Sequence, residues 1–332
     1  MDYNILILTD HSTHTLENSV YALASTLAAH PKVNSVDIAS RGIPENALFF
    51  DGKTDAVLSV IPAVPRLTYA RALQLYETSS TEAELVDYDF IFLRLPPPIP
   101  AKLFHALPEI IPEDHILNEP SGIIRTSSKT FLLEVADLCP PIRLIKKKSD
   151  VSEFLSVHGS IVLKPSFGYA GQGIVKLTQE YAEHASGQRM FHRPFFKQWS
   201  PPYLAMQFLK KVTEGDKRTL VANGQIIGSA LRKPKAGQWM CNVALGGIAA
   251  HAIADEDEQR IAERLVQEVG KLGIVLFGFD TLMSDDGHRV LSEINTMSVG
   301  GLKQIRDTQD KSVLKRIVSE LVAHLDTIWY GG

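Results

Sequence analysis

Two apolar runs, Phe277-Gly278-Phe279-Asp280 and Val290-Leu291-Ser292-Glu293-Ile294-Asn295, flank the dipeptide Asp286-Gly287, and a hairpin is the natural use of that arrangement. Asp-Gly favours a two-residue turn between paired strands. Centring the turn there sets Asp280 opposite Glu293. Side chains alternate along a strand, so Glu293 and Asn295 share a face, and Asp280 joins them. Two carboxylates and an amide oxygen form an all-oxygen set suited to Mg²⁺, which keeps waters and takes further ligands from phosphates. On an otherwise apolar hairpin such a cluster is costly without a cation. Acid–x–Asn is also a common strand sequence, so the rest of the chain has to carry the metal reading.

At 332 residues the chain can form two or three domains with ample cores. Its 45% hydrophobic and 22% charged residues fit a soluble globular protein. A formal net charge of −4 gives no reason to expect nucleic acid or an anionic membrane as partner. Cys139 and Cys241 lie far apart and in no Cys-x-x-Cys pattern, which argues against a zinc site or a disulfide framework and fits a reducing cytosol. The start, Met1-Asp2-Tyr3-Asn4-Ile5-Leu6, lacks the basic and apolar regions of a signal peptide, and no apolar stretch approaches the ~20 residues that span a bilayer. A cytoplasmic location is the expectation.

The first part alternates strands with helical patterns: a strand at Ile5–Leu8, a helix from about Leu16 to Ala29, and strands at Val36–Ala39 and Phe90–Leu93. That alternation predicts a parallel sheet with helices on its faces. The stretch from Arg41 to Thr81 yields no clear elements. Leu95-Pro96-Pro97-Pro98-Ile99-Pro100 is stiff and follows a strand, so it is either a ligand loop or a rigid connector. A strand at Ile116–Asn118 closes the first domain near residue 120.

The second domain, 121–203, opens with a helix at Ser127–Ala136, then a strand at Ile142–Ile145, a helix at Ser149–Val157 and the strand Ser160–Lys164. The third, 204–332, opens with the strand Leu204–Leu209. Its Asn223-Gly224 joins Lys217–Ala222 to Gln225–Leu231 as a hairpin. Asp255 and Glu258 make a capping box for a helix carrying Ile261, Leu265, Val269 and Leu272 on one face, and Gly273 closes it. A last helix spans about Lys311 to Ile328.

Several stretches hold groups that suit nucleotide chemistry. Lys164 ends an apolar strand and precedes Pro165 and a loop with Gly168, Gly171 and Gly173, whose amides can approach phosphate oxygens. No Gly-Lys-Ser/Thr follows, so this is not a Walker loop, and a plain glycine turn is an equal reading. Lys129 starts a helix and on local sequence is an ordinary solvated lysine. Met206, Gln207, Phe208 and Leu209 end an apolar strand, offering the flat walls and free backbone groups that an adenine needs. Asp216 and Arg218 alternate on the next strand and share a face; a salt-bridge ladder is the simpler alternative. Arg232 introduces a long loop with Gly237, Asn242 and Gly246-Gly247, of a length more common for lids and binding segments than for idle chain. Its guanidinium suits a developing phosphoryl or oxyanion charge.

Taken in order, a lysine, a strand lysine with a glycine loop, an apolar hinge, Asp-x-Arg, an arginine with a long loop, then Asp and Glu-x-Asn resemble the ATP-grasp fold. Within it the pattern is most similar to the bacterial glutathione synthetase family, which carries Ile-Leu-Lys-Pro, Gly-Asp-Lys-Arg and Glu-Ile-Asn. Here these read Val162-Leu163-Lys164-Pro165, Gly215-Asp216-Lys217-Arg218 and Glu293-Ile294-Asn295. The similarity covers about residues 90 to 300. It implies an α/β and α+β fold, with an N-terminal Rossmann-like (pre-ATP-grasp) domain before a two-lobed ATP-grasp unit. It also implies that Lys129 and Lys164 hold ATP phosphates, that residues 206 to 209 line the adenine, and that Asp216 lies near the nucleotide. Arg218 would sit near the acceptor, Arg232 and Asn242 would face the phosphoryl group, and Asp280, Glu293 and Asn295 would hold two Mg²⁺ ions, with Mn²⁺ as an alternative. The implied reaction is Mg²⁺-dependent joining of a carboxylate to an amine through an acyl phosphate, releasing ADP. The implied substrates are small molecules, γ-glutamylcysteine and glycine, and the implied assembly is a homodimer or homotetramer.

The chain departs from that family at three places where substrates rather than ATP should bind. Met240 stands where the family has a lid-loop arginine. Met297-Ser298-Val299-Gly300-Gly301 follows the acidic pair in place of Thr-Ser-Pro, and Arg94-Leu95-Pro96-Pro97 replaces Arg-Lys-Asp-Pro-Pro. A ligase adding another amino acid, such as glutamate, to a peptide or small acid therefore remains the alternative, with a non-catalytic ATP-binding protein behind it. A dinucleotide-binding dehydrogenase is disfavoured, because Thr9-Asp10-His11-Ser12-Thr13 replaces the glycine fingerprint after the first strand.

Overall fold

In a computed structural model the described residues are 2–16, 18–168, 171–184, 186–197, 201–241, 248–308 and 312–331. Among them, strands collect into three sheets. The first is built around Tyr3–Thr9, whose apolar residues serve both faces: Tyr3, Ile5 and Ile7 enter one core, Leu6 and Leu8 the other. Val33–Ser40 and Phe90–Leu93 flank it in parallel, and Ile116–Leu117 extends the parallel set. The expectation of a parallel sheet holds for these four strands only. Leu58–Pro62 adds antiparallel to Val33–Ser40, and Thr81–Ala83 adds antiparallel to that. Both come from the stretch with no clear pattern, where short strands alternate with the helix Tyr69–Thr78. The helix Val313–Gly331 packs Ile317, Leu321 and Leu325 into the same core as Tyr3 and Phe90.

The second sheet runs in the order Arg189–Met190, Ala182–His184, Val175–Thr178, Ser160–Pro165, Tyr203–Gln207, Ile142–Ile145. The strand Tyr203–Gln207, expected to open the third segment, is hydrogen-bonded here on both sides. Leu204, Ala205 and Met206 are all buried, as a central strand requires, and an unbroken apolar run does not reveal which sheet will take it. The expected helix at Ser127–Ala136 is a tight 3₁₀ segment, Lys129–Leu138, capped by the Ser128 hydroxyl and interrupted by non-helical angles at Val135 (φ −127°, ψ 36°).

The third sheet runs Ile248–Ala252, Gln225–Lys233, Asp216–Ala222, Leu276–Met283, Arg289–Asn295, all antiparallel. Asn223 and Gly224 turn its first hairpin with φ of 47° and 77°, the positive angles of a two-residue primed turn. Asp255 caps the helix Glu256–Gly270, and Glu258 closes the capping box. The opening hairpin differs in one respect from its sequence reading. Met283 pairs with Arg289 and Ser284 with His288, so the turn is one residue longer than two. A bulge at Ser292 restores the offset, and Asp280 pairs with Glu293.

Candidate active site

A cavity of about 540 Å³ opens between the second and third sheets. Its walls include Lys164, Gly171, Met206, Gln207, Phe208, Leu209, Asp216, Arg218, Arg232, Asp280, Glu293 and Asn295, so the structure brings most of the sequence-chosen residues together. A smaller adjoining cavity is lined by Lys129, Gly168, Glu293 and Asn295. Gly173 lines neither. Its φ of 70° turns the loop back on Pro165, and an added Cβ would come within 2.8 Å of that ring. Asn242 and the Gly246-Gly247 pair lie outside the described residues.

The charged end is a cross-strand checkerboard. On Asp216–Ala222, Asp216 pairs directly with Arg232 on one neighbouring strand, and Arg218 with Asp280 on the other. Arg232 donates to both oxygens of Asp216 at 2.7 Å and lies 2.9 Å from Asp280 Oδ2. Arg218 grips both oxygens of Asp280, with Nη2 to Oδ2 at 2.7 Å and a shorter bond from Nε to Oδ1. Two acids and two guanidiniums thus form a neutral buried tetrad. Burial works to raise the pKa of Asp280, but the two guanidiniums overcome it and hold the carboxyl at about 2. Burial also lifts Asp216, against the pull of Arg232.

Lys164 is buried at its strand end, with Nζ donating to the carbonyl of Ser292 at 2.7 Å. Burial lowers its pKa, and the nearby Glu293 carboxylate opposes that. Lys129 donates to the carbonyl of Gly168 at 2.8 Å and stands 3.6 Å from Glu293. The two lysines and Glu293 thus meet where the strand lysine, the glycine loop and the hairpin converge.

The three expected metal ligands differ in their freedom. Glu293 is partly open, and among the described residues the buried Asn295 Nδ2 has no partner, so the protein does not fix the amide through its nitrogen. Asp280 is engaged by both arginines, which leaves Oδ1 one acceptor direction. Among the described residues, no three His, Cys, Asp or Glu side chains gather as a metal site. The set is instead two carboxylates and an amide, an all-oxygen donor chemistry that fits Mg²⁺.

The other end of the cavity is apolar. Val162, Ile174, Val212, Trp239 and Cys241 pack as one cluster, with Phe208, Met240 and Leu282 against it. Lys176 places Nζ 3.8 Å from the centroid of the Phe208 ring. Of this wall the sequence pointed to residues 206 to 209 as the apolar surface, and to Val162 and Met240 only for other reasons. The others are ordinary apolar residues from five separate segments, and no local pattern marks them as one surface. Arg94 lies beneath, buried, donating from Nη2 to the carbonyl of Val299 at 3.1 Å, with Nε unpartnered. Burial lowers its pKa to about 10.

Comparison with known proteins agrees with this arrangement. The profile of the family described as prokaryotic glutathione synthetase, ATP-grasp domain, matches residues 128–310, more than half of the chain. The glutathione synthetase of Agrobacterium fabrum is 30% identical over 234 residues, covering 69% of this chain and 70% of its own. That of Prochlorococcus marinus subsp. pastoris is 29% identical over 242 residues, covering 72% and 76%. Among solved structures, the D-cycloserine synthetase DcsG superposes with a TM-score of 0.65 at 11% identity, over 97% of this chain and 99% of its own. The D-alanyl-alanine synthetase A of Vibrio cholerae gives 0.57 at 14% identity, over 96% and 99%. At such identities these two establish the fold, which is ATP-grasp behind an N-terminal α/β domain. Among the described residues, no helix is long and apolar enough to cross a membrane. The family profile and relatives aligned over two thirds of the chain make it a member of the prokaryotic glutathione synthetase family, an ATP-grasp ligase that works with ATP and Mg²⁺.

Proposed function

We propose that the chain joins γ-glutamylcysteine to glycine, making glutathione and releasing ADP and phosphate. The observation that carries this reading is that one cavity holds an apolar wall, a buried lysine, two uncommitted oxygen ligands and the arginine tetrad. In this reading the base lies against residues 206–209, and Lys129 and Lys164 hold the phosphates, with Gly168 and Gly171 giving them room. Asp216 steadies Arg232 beside the nucleotide. A carboxylate oxygen of the dipeptide attacks the γ-phosphorus and ADP leaves; the glycine amine then attacks the acyl carbon and phosphate leaves. Arg232, with Asn242, faces the transferred phosphoryl group, and Arg218, held by Asp280, faces the acceptor. Glu293, Asn295 and the remaining acceptor of Asp280 hold Mg²⁺, as two ions, and Mn²⁺ can substitute. When bound, the metal neutralises charge on the terminal phosphates.

Arg94 lines neither cavity, but among the described residues its buried guanidinium has no carboxylate partner. It sits under the segment 298–301 that borders the cavity, where its charge favours an anionic acid substrate from beneath. One observation favours a second reading. Met240 packs its methyl against Gly171 on the cavity wall, offering an apolar surface where the family has an arginine. A carboxylate–amine ligase for another pair, such as glutamate added to a small acid, would use the same tetrad. ADP release measured across acid and amine pairs tests both. Turnover with γ-glutamylcysteine and glycine supports the first, and silence on that pair with activity on another leaves the second. The chain is taken as the three units 1–120, 121–203 and 204–332, with the strand Tyr203–Gln207 shared into the second unit's sheet, and as a homodimer or homotetramer, which light scattering would measure.

A further inference from the structure

The segment after Arg232 turns into the cleft. Trp239, Met240 and Cys241 all line the cavity, and Trp239 and Cys241 are 9% and 5% exposed. The indole packs with Val162, Ile174 and Val212 and meets Phe208 edge-on, with centroids 6.1 Å apart and planes at 78°. Cys241 Sγ donates to the carbonyl of Val212 at 3.5 Å. Met240 lies so close to Gly171 that a Cβ there would come within 2.8 Å of its methyl. Three consecutive residues are thus seated in the apolar end of the cavity.

One group in this packing is unsatisfied. Trp239 Nε1 is buried and, among the described residues, has no hydrogen-bond partner. A buried indole N–H usually finds one, and leaving a donor unmade costs its desolvation. Packing alone therefore holds the ring in place, and moving it to water would restore the missing bond. An indole and a purine are both flat fused rings of similar size, and both suit walls such as Val162, Ile174 and Phe208.

We propose that Trp239 holds the base subsite as a stand-in for the purine, and that a purine nucleotide displaces it on binding. This rests on the reading of residues 206–209 and the apolar cluster as the base site. The plug lowers apparent nucleotide affinity by the fraction of molecules in which it is out. It also ties nucleotide arrival to movement of the segment that follows Arg232, so the cleft is rearranged only when ATP enters.

The test is ADP binding to the full chain, by calorimetry and by tryptophan emission, in the wild type, W239A and W239F. If the plug is in place about nine-tenths of the time, W239A binds ADP about tenfold more tightly. In the wild type, ADP makes the Trp239 component of the emission, taken as the difference from W239F, more accessible to acrylamide. Equal or weaker binding by W239A overturns the plug and makes Trp239 a wall of the base site. Should W239A not fold, an unchanged Trp239 component on ADP binding to the wild type overturns it equally. If calorimetry detects neither ADP nor ATP binding in the wild type or W239F, the nucleotide reading itself fails, and that outcome differs from both others.

Discussion

Lys164 donates from Nζ to the carbonyl of Ser292 across 2.7 Å, which fastens the strand lysine of the second sheet to the bulge of the third. A bulge residue leaves the ladder partly unpaired, so its carbonyl is available to an outside donor. The Ser292 hydroxyl in turn donates to the carbonyl of Asp280 at 3.1 Å. One irregularity in a hairpin therefore positions a lysine, an aspartate and the adjoining Glu293 together.

Burial lowers the pKa of Lys164, so folding disfavours its charged form. That cost is present at every pH below the folded pKa and fades as pH rises from there toward the ordinary lysine value. Lys164→Met should leave stability at pH 7 unchanged or raise it by about 1–2 kcal/mol. Turnover should fall about 100-fold or more. Thermal melts and ADP release check the pair of outcomes; a large loss of stability would show that the lysine is held chiefly for the fold.

Glu293→Gln removes one of the uncommitted oxygen ligands at nearly constant shape. The wild type should gain about 2.7 kcal/mol of stability with ligand at one hundred times its dissociation constant, and more with Mg²⁺ and ADP together than with ADP alone. In the variant the Mg²⁺-dependent increment should vanish while the metal-free increment stays. An intact Mg²⁺ increment in a thermal shift series would remove Glu293 from the metal set.

Asp280 should dominate the acid limb of stability. Its carboxyl sits at about 2 in the folded chain and near 3.9 when unfolded, so it contributes about 2–3 kcal/mol above pH 4 and loses that contribution as pH falls toward 2. Asp280→Asn should lower stability at pH 7 by about 3–5 kcal/mol, because Arg218 loses its carboxylate and stays buried. The slope of stability between pH 4 and 2 should flatten, as urea titrations at several pH values would measure.

Gly301 has φ of 107°, and a Cβ there would come within 3.0 Å of Arg218 Cγ. Gly301→Ala should therefore strain the backbone by about 1–3 kcal/mol and push the Arg218 stem off its line to Asp280. The expected signature is a lower kcat with a higher KM for the acid substrate and an unchanged KM for ATP. Equal effects on both KM values would point to a general loss of the fold.

Local chemistry made several elements legible in the sequence. Asp255 and Glu258 announced a helix, Asn223-Gly224 a turn, and the alternation around Asp280 and Glu293 a shared face, because each depends on neighbours within a few residues. The hairpin's register was reached by two offsetting differences, a longer turn and the bulge at Ser292, and nothing local signals either. Asp216 and Arg218 were seen to share a face, but their partners are each other's neighbours only across strands, at Arg232 and Asp280. The same holds for Tyr203–Gln207, whose apolar run suited either sheet. The apolar wall from Val162 to Leu282 is the least legible, since it exists only once five segments meet.

The opening strand Tyr3–Thr9 and the helix Val313–Gly331 meet directly. Tyr3 Oη donates to Asp326 at 2.6 Å across 323 positions of sequence, and Trp329 packs on Tyr3 and Phe90. The helices Val20–Ala28 and Tyr69–Thr78 cover part of that face of the sheet, so during synthesis the opening sheet emerges with the rest of it bare until the helix Val313–Gly331 leaves the ribosome. A nascent chain in that condition is a natural client for a chaperone. For the same reason, a fragment ending before residue 313 would be expected to aggregate rather than fold, even though it holds every residue of the cavity.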